Sequence, residues 1–152
     1  MMILVLALTI TWILSSPAAA APPTLPEAAR TLADNVLGAG SVTAIRTPDD
    51  GTQVLMRWES PTYRQANHRS QSRESIYGEA VLATSAILGR LHRVTRIRFA
   101  IFQGRRMLAT GESIRGRGVT LRFSLALGGD VYVPPEPRGD RKAPTRGAAQ
   151  EI

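Results

Sequence analysis

RESIYGEAVLATSAILGRL at Arg73–Leu91, followed by VTRIRFAIF at Val94–Phe102, is the stretch whose reading decides the fold. With each residue turned by about 100° in a helix, Ile76, Tyr77, Ala80, Val81, Ala83, Thr84, Ile87, Leu88 and Leu91 form one continuous arc, wider than the usual amphipathic stripe. So broad an arc must be largely covered. The segment after it alternates: Ile97, Phe99 and Ile101 point one way, Arg96, Arg98 and Ala100 the other. The pair reads as a nearly buried helix packed on a sheet and feeding that sheet's best strand.

The opposite side of the helix carries Gly78, Ser85 and Gly89 in line, and the only charges on the helix beyond Arg73 are Glu74, Glu79 and Arg90. A glycine inside a helix costs about 1 kcal/mol relative to alanine. Two of them on one side predict that another backbone comes close there. The expected neighbour is the first helix of the chain, which would make the central helix a middle layer, or a second copy of the chain.

Toward the N-terminus, Thr24-Leu-Pro-Glu27 has capping-box spacing and opens a helix over about 25–37, which Gly38 and Gly40 stop. Ser41–Arg46 and Thr52–Glu59 read as a hairpin turned at Thr47-Pro-Asp-Asp-Gly51, with Val54, Met56 and Trp58 on one face. Ser60–Ser72 is a long polar connection whose last residue is placed to cap the central helix. Beyond the central stretch, Arg106–Glu112 returns from a turn at Gln103–Arg105. Val119, Leu121, Phe123 and Leu125 then alternate as a further strand, and Val131–Val133 adds a short edge strand. The expected fold is α+β, in the order α-β-β-α-β-β-β. A mainly antiparallel sheet of four to six strands packs on a central helix over about 73–92, beside an N-terminal helix over about 25–37.

Both ends of the chain differ in composition from this body. Met1–Ala21 has no charge, and its apolar core Ile3–Leu14 leads to Pro17 and a run of alanines. That pattern predicts a secretory signal over residues 1–20, cleaved after Ala20, although the expected basic residue before the apolar core is missing. The rival reading is an uncleaved N-terminal anchor; with cleavage no transmembrane span remains. Either reading exports the rest, so the expected location is secreted, periplasmic or in the cell envelope. Residues 21–133 make one domain, and the Pro-, Gly- and Arg-rich tail 134–152 is expected to be disordered.

Composition narrows the chemistry. The absence of cysteine excludes disulfides, thiolate metal sites and cysteine nucleophiles. His68 and His92, the only histidines, sit in no metal spacing, so neither a metal nor a cofactor is implied. The chain holds 19 basic side chains against 12 acidic ones, and Lys142 is its one lysine. Arginine binds carboxylate and phosphate through two nitrogens at once.

Charge is concentrated rather than spread. Between Arg90 and Arg122 stand nine arginines against Glu112 alone. Strand parity puts Arg96, Arg98 and Arg122 on the face away from the core, with Arg57 on the matching face of its own strand. Such a face would attract an anionic polymer or lipid head groups. A solvated sheet face kept soluble by arginine is the simpler explanation of the same pattern. Nucleic acid is disfavoured, because no exposed aromatic platform is evident on that face.

Three functional readings follow. The leading one is a non-catalytic exported binding module using Arg57, Arg96, Arg98 and Arg122, the loop residues Tyr63, His68 and Arg69, or both. The second is a small hydrolase-like enzyme with a site between the 60–72 loop and the sheet, built from Glu59, Tyr63, His68 and Arg69. Glu79 joins that set as a carboxylate on a nearly uncharged helix, suited to acid–base work if desolvated, though a salt bridge or plain exposure accounts for it as well. The third is a homo-oligomeric envelope accessory protein associating through Gly78, Ser85 and Gly89.

Overall fold

The computed structural model describes residues 21–48, 50–64 and 67–134. The signal expected over 1–20 and all of the tail after Pro134 lie outside the described residues. The chain runs α1 (Leu25–Leu37), β1 (Val42–Arg46), β2 (Gln53–Glu59), α2 (Arg69–Arg90), β3 (Arg96–Gln103), β4 (Arg106–Ile114), β5 (Gly118–Phe123), a 3-10 turn (Leu125–Leu127) and β6 (Val131–Tyr132). This is the expected α+β order, except that β5 stops at Phe123: Leu125, expected to continue the inward alternation of Val119, Leu121 and Phe123, opens the 3-10 turn and is exposed.

The strands form one sheet in sequence order, β1 to β6. Neighbours pair antiparallel except β2 and β3, which are parallel because α2 carries the chain back between them. A turn built on Gly51 (φ +65°) closes the first hairpin, its N–H donating to Pro48 O at 2.9 Å. Glu27 closes α1 at its start by accepting from both the backbone N–H (2.8 Å) and the hydroxyl (2.7 Å) of Thr24. Those two bonds hold the Glu27 carboxyl below its ordinary range.

One face of the sheet is covered. Val54, Met56 and Trp58 of β2, Ile97, Phe99 and Ile101 of β3, and Leu121 and Phe123 of β5 are buried there. A bulge after Ile101 turns Leu108 and Ala109, adjacent in the chain, both into the core. α2 lies over β3, β4 and β5, while α1 lies beside it over β1. Ala29 and Ala33 of α1 and Ala80 and Ala83 of α2 are all fully buried, and side chains this small let the two helices approach closely. Arg30 donates to Val42 O (2.6 Å) and Val42 N donates to Asp34 Oδ1 (2.9 Å), which ties α1 to the start of β1.

Two expectations about α2 are corrected. The two helices share one layer, so α2 is not a middle layer, and its glycine side does not meet α1. A Cβ built on Gly78 or Gly89 would meet nothing within 4 Å, and Ser85 is exposed. The alanines supply the slim surface that the glycines were expected to supply. The helix also begins at Arg69, with His68 as its N-cap. Ser72 is therefore a buried residue of the helix rather than its cap, and the connection from β2 is correspondingly shorter. At the other end, Arg115 donates to Leu91 O (3.1 Å) and Val94 O (2.8 Å), binding the last turn to the start of β3.

Candidate functional site

The uncovered face of the sheet carries the arginines. Pairing aligns Arg46, Leu55, Arg98, Glu112 and Thr120 in one row across the strands. Ala44, Arg57, Ala100, Thr110, Arg122 and Val131 form the next. Arg57, Arg96, Arg98 and Arg122 are all exposed, and they share this face. Arg46 is exposed beside them, a fifth guanidinium that the strand parity of β1 could have placed. With strands about 4.8 Å apart, Arg57 on β2 and Arg122 on β5 stand roughly 14 Å from each other.

Little among the described residues neutralises this charge. Among the described residues Glu112 is the one carboxylate paired on the face, with its Oε2 3.9 Å from Arg96 Nε and both side chains well exposed. Arg57 lies over the Phe102 ring at 3.7 Å, a cation–π contact that holds the guanidinium flat on the sheet. Phe102 is thus an outward aromatic, but one already covered. Between Arg98 and Arg122 lies a trough of about 360 Å³, lined by the small residues Thr110, Gly111 and Thr120 and by the Glu112 carboxylate. Two guanidiniums over threonine hydroxyls make an arrangement that can hold an anionic oxygen group.

The loop candidates end up in different places. Tyr63 is half-buried against the edge of the core, its backbone N–H donating to Ser60 Oγ at 3.0 Å. His68 and Arg69 line an open cleft of about 640 Å³ at the start of α2, together with Arg73, Glu74, Asp130 and Tyr132; Tyr63 is not part of its wall. Arg73, absent from the sequence-based candidates, is the organiser of this cleft. Its guanidinium bonds Asp130 at 2.7 Å and lies 4.8 Å from the Phe123 ring centre. The bond from Arg73 holds the Asp130 carboxyl below its ordinary range, and burial lifts the Tyr132 phenol above its own. Arg73 and Asp130 are 57 residues apart, so no local spacing signals the pair.

The two carboxylates offered for acid–base chemistry are engaged elsewhere. Glu59 accepts from the Gly104 backbone N–H at 2.7 Å and ties the β3–β4 hairpin to β2. Glu79 is buried, and it is neither salt-bridged nor exposed as the simpler reading expected. Its Oε2 accepts from Trp58 Nε1 (3.2 Å), and its Oε1 accepts from Ser60 Oγ (2.7 Å), Thr62 N (3.0 Å) and the Thr62 hydroxyl. These four neutral donors replace the water that the carboxylate gives up, and they fasten the end of β2 to α2. Its place is structural.

Gly78, Ser85 and Gly89 remain on the outer side of α2. Ser85 and Gly89 border a groove of about 390 Å³ with Tyr77, Val81, Leu88 and Val119. Among the described residues no three of His, Asp and Glu converge as a metal-binding group, and no helix is long and apolar enough to cross a membrane. No protein-family model matches the chain, and neither a curated protein nor a solved structure matches it.

Proposed function

We propose that this domain is a non-catalytic binding module, working outside the cytoplasm in the medium or the cell envelope, whose open sheet face takes anionic ligands. The observation that carries this reading is the uncovered face itself. Arg57, Arg96, Arg98 and Arg122 stand exposed on it, with one long ion pair among them. The chain's net charge of +7 adds a long-range attraction of the same sign. Export is supported by the charge-free apolar start of the chain.

The test is binding to heparin as a soluble polyanion across a salt series. Four guanidinium contacts predict a loss of affinity on the order of fifty-fold between ~50 and ~200 mM salt. Arg98→Ala with Arg122→Ala should weaken binding while the fold is kept. Absent binding, or binding indifferent to salt, removes the reading. A second reading draws on the exposed glycine side of α2, which leaves room for a second copy of the chain. A mass that rises with concentration in light scattering, and falls back with Gly89→Gln, supports it; a monomer throughout removes it. The hydrolase reading retains only the cleft beside Arg73, since Glu59, Tyr63 and Glu79 do not line it.

A further inference from the structure

Resting on the reading of the open face as an anion-binding surface, we infer that its partner is an anionic lipid surface, which it meets with the corner around Leu125. Among the described residues, most of the large apolar side chains left exposed stand on or beside the arginine face. Leu125 is 91% exposed, Val133 79%, and Met107 and Val131 44% each. Arg106, Met107, Arg122, Leu125 and Ala126 line one depression of about 520 Å³. Arg122 also borders the neighbouring trough with Arg98 and Val131, so cationic and apolar groups form one continuous surface.

The exposure of Leu125 is built in. Leu127 of the same turn is buried and anchors it. Leu127 N and Gly129 N both donate to Ser124 O at 2.9 Å, which closes the turn and leaves Leu125 at its tip. Solubility favours a polar residue at such a tip, and a soluble polyanion has nothing to offer a leucine. A bilayer interface offers both things this corner displays: anionic head groups for guanidiniums, and acyl chains within reach of protruding apolar side chains. Of the carboxylates nearby, Asp130 is held by Arg73 and Glu112 offsets Arg96 alone, so Arg98, Arg106 and Arg122 carry no ion pair among the described residues.

The test uses the full chain as an expressing cell processes it, sedimented with vesicles of phosphatidylglycerol and phosphatidylcholine, and with vesicles of phosphatidylcholine alone. A retained apolar leader would bind both compositions alike, so the difference between them reads the corner. The anionic vesicles should be preferred. Leu125→Gln should lower that partitioning about tenfold, the scale of one buried leucine side chain, and Arg106→Ala about fivefold at low salt. Leu125→Gln, which adds no charge beside Arg106 and Arg122, should leave heparin binding unchanged, and Leu82→Gln, on the far side of α2, should leave both unchanged. Leu125 has no packing to lose, so a correctly folded variant is expected, and circular dichroism checks it. Heparin binding without a preference for anionic vesicles, or a preference that ignores Leu125→Gln, overturns the lipid inference and leaves the anion-binding face standing. Binding to neither overturns both.

Discussion

The two faces of the sheet are built from the same strands, one residue out of phase, yet they handle polar groups in opposite ways. On the covered face Glu79, the one buried charged side chain among the described residues, is surrounded by donors from β2 and the segment after it. On the open face charged side chains are plentiful and the chain supplies them with almost nothing: one long contact to Glu112 and one ring under Arg57. A polar group shut away from water must be satisfied by the fold, whereas one left in water remains free for a partner. Unspent charge on one side and a fully bonded buried carboxylate on the other distinguish the two faces.

The comparison can be broken from the covered side first, where effects are largest. Glu79→Ala leaves the buried Trp58 and Ser60 donors without an acceptor and should cost about 3 kcal/mol or more in urea unfolding. Glu79→Gln should recover only part of this, because its amide nitrogen would face donors. Recovery of full stability by glutamine would show that the negative charge is irrelevant there. Gly111→Ala comes next. Its Cβ would press on the Thr120 carbonyl oxygen and come within 2.7 Å of Phe99 Cζ. Overpacking of this kind should cost about 1–3 kcal/mol, visible as a lower urea midpoint with an unchanged slope.

Smaller effects sharpen the contrast. The folded-state carboxyl of Asp130 sits below its ordinary value because of Arg73. The stabilisation from that bond is therefore present above the ordinary aspartate range and is lost as pH falls through the lower folded-state value. Thermal unfolding should show a gap between the parent chain and Asp130→Asn at neutral pH that closes on acidification. A gap constant with pH would detach the bond from stability. Smallest of all, Arg98→Ala and Arg122→Ala should each change stability by no more than about 0.5 kcal/mol. If either unfolds the protein, the open face is scaffold after all.

Local patterning made much of this legible. The alternation Ile97, Phe99, Ile101 against Arg96 and Arg98 was enough to assign inside and outside, because a strand offers its side chains only two directions. The capping box at Thr24 and Glu27 was legible for the same local reason. What could not be read were relations between distant residues. Arg73 with Asp130, Arg115 with Leu91, and Glu79 with Ser60 and Thr62 each join separate elements, and no spacing along the chain announces them. The glycines of α2 misled for a related reason: helical periodicity shows which residues share a side, but not which side a neighbour will choose.

The sequence by itself determined the helices and strands, though not the 3-10 turn at Leu125 or the start of α2, and also their order and the placing of Arg57, Arg96, Arg98 and Arg122 on one face of the sheet. These follow from helical and strand periods, which are properties of neighbouring residues. Only the tertiary structure decided that both helices lie in one layer on a single face, that no other described element covers the opposite face, that Glu79 is bound by neutral donors, and that Leu125 stands at a closed tip beside the arginines. Those outcomes depend on which surfaces meet when the whole chain is compact, and burial is a property of the assembled molecule.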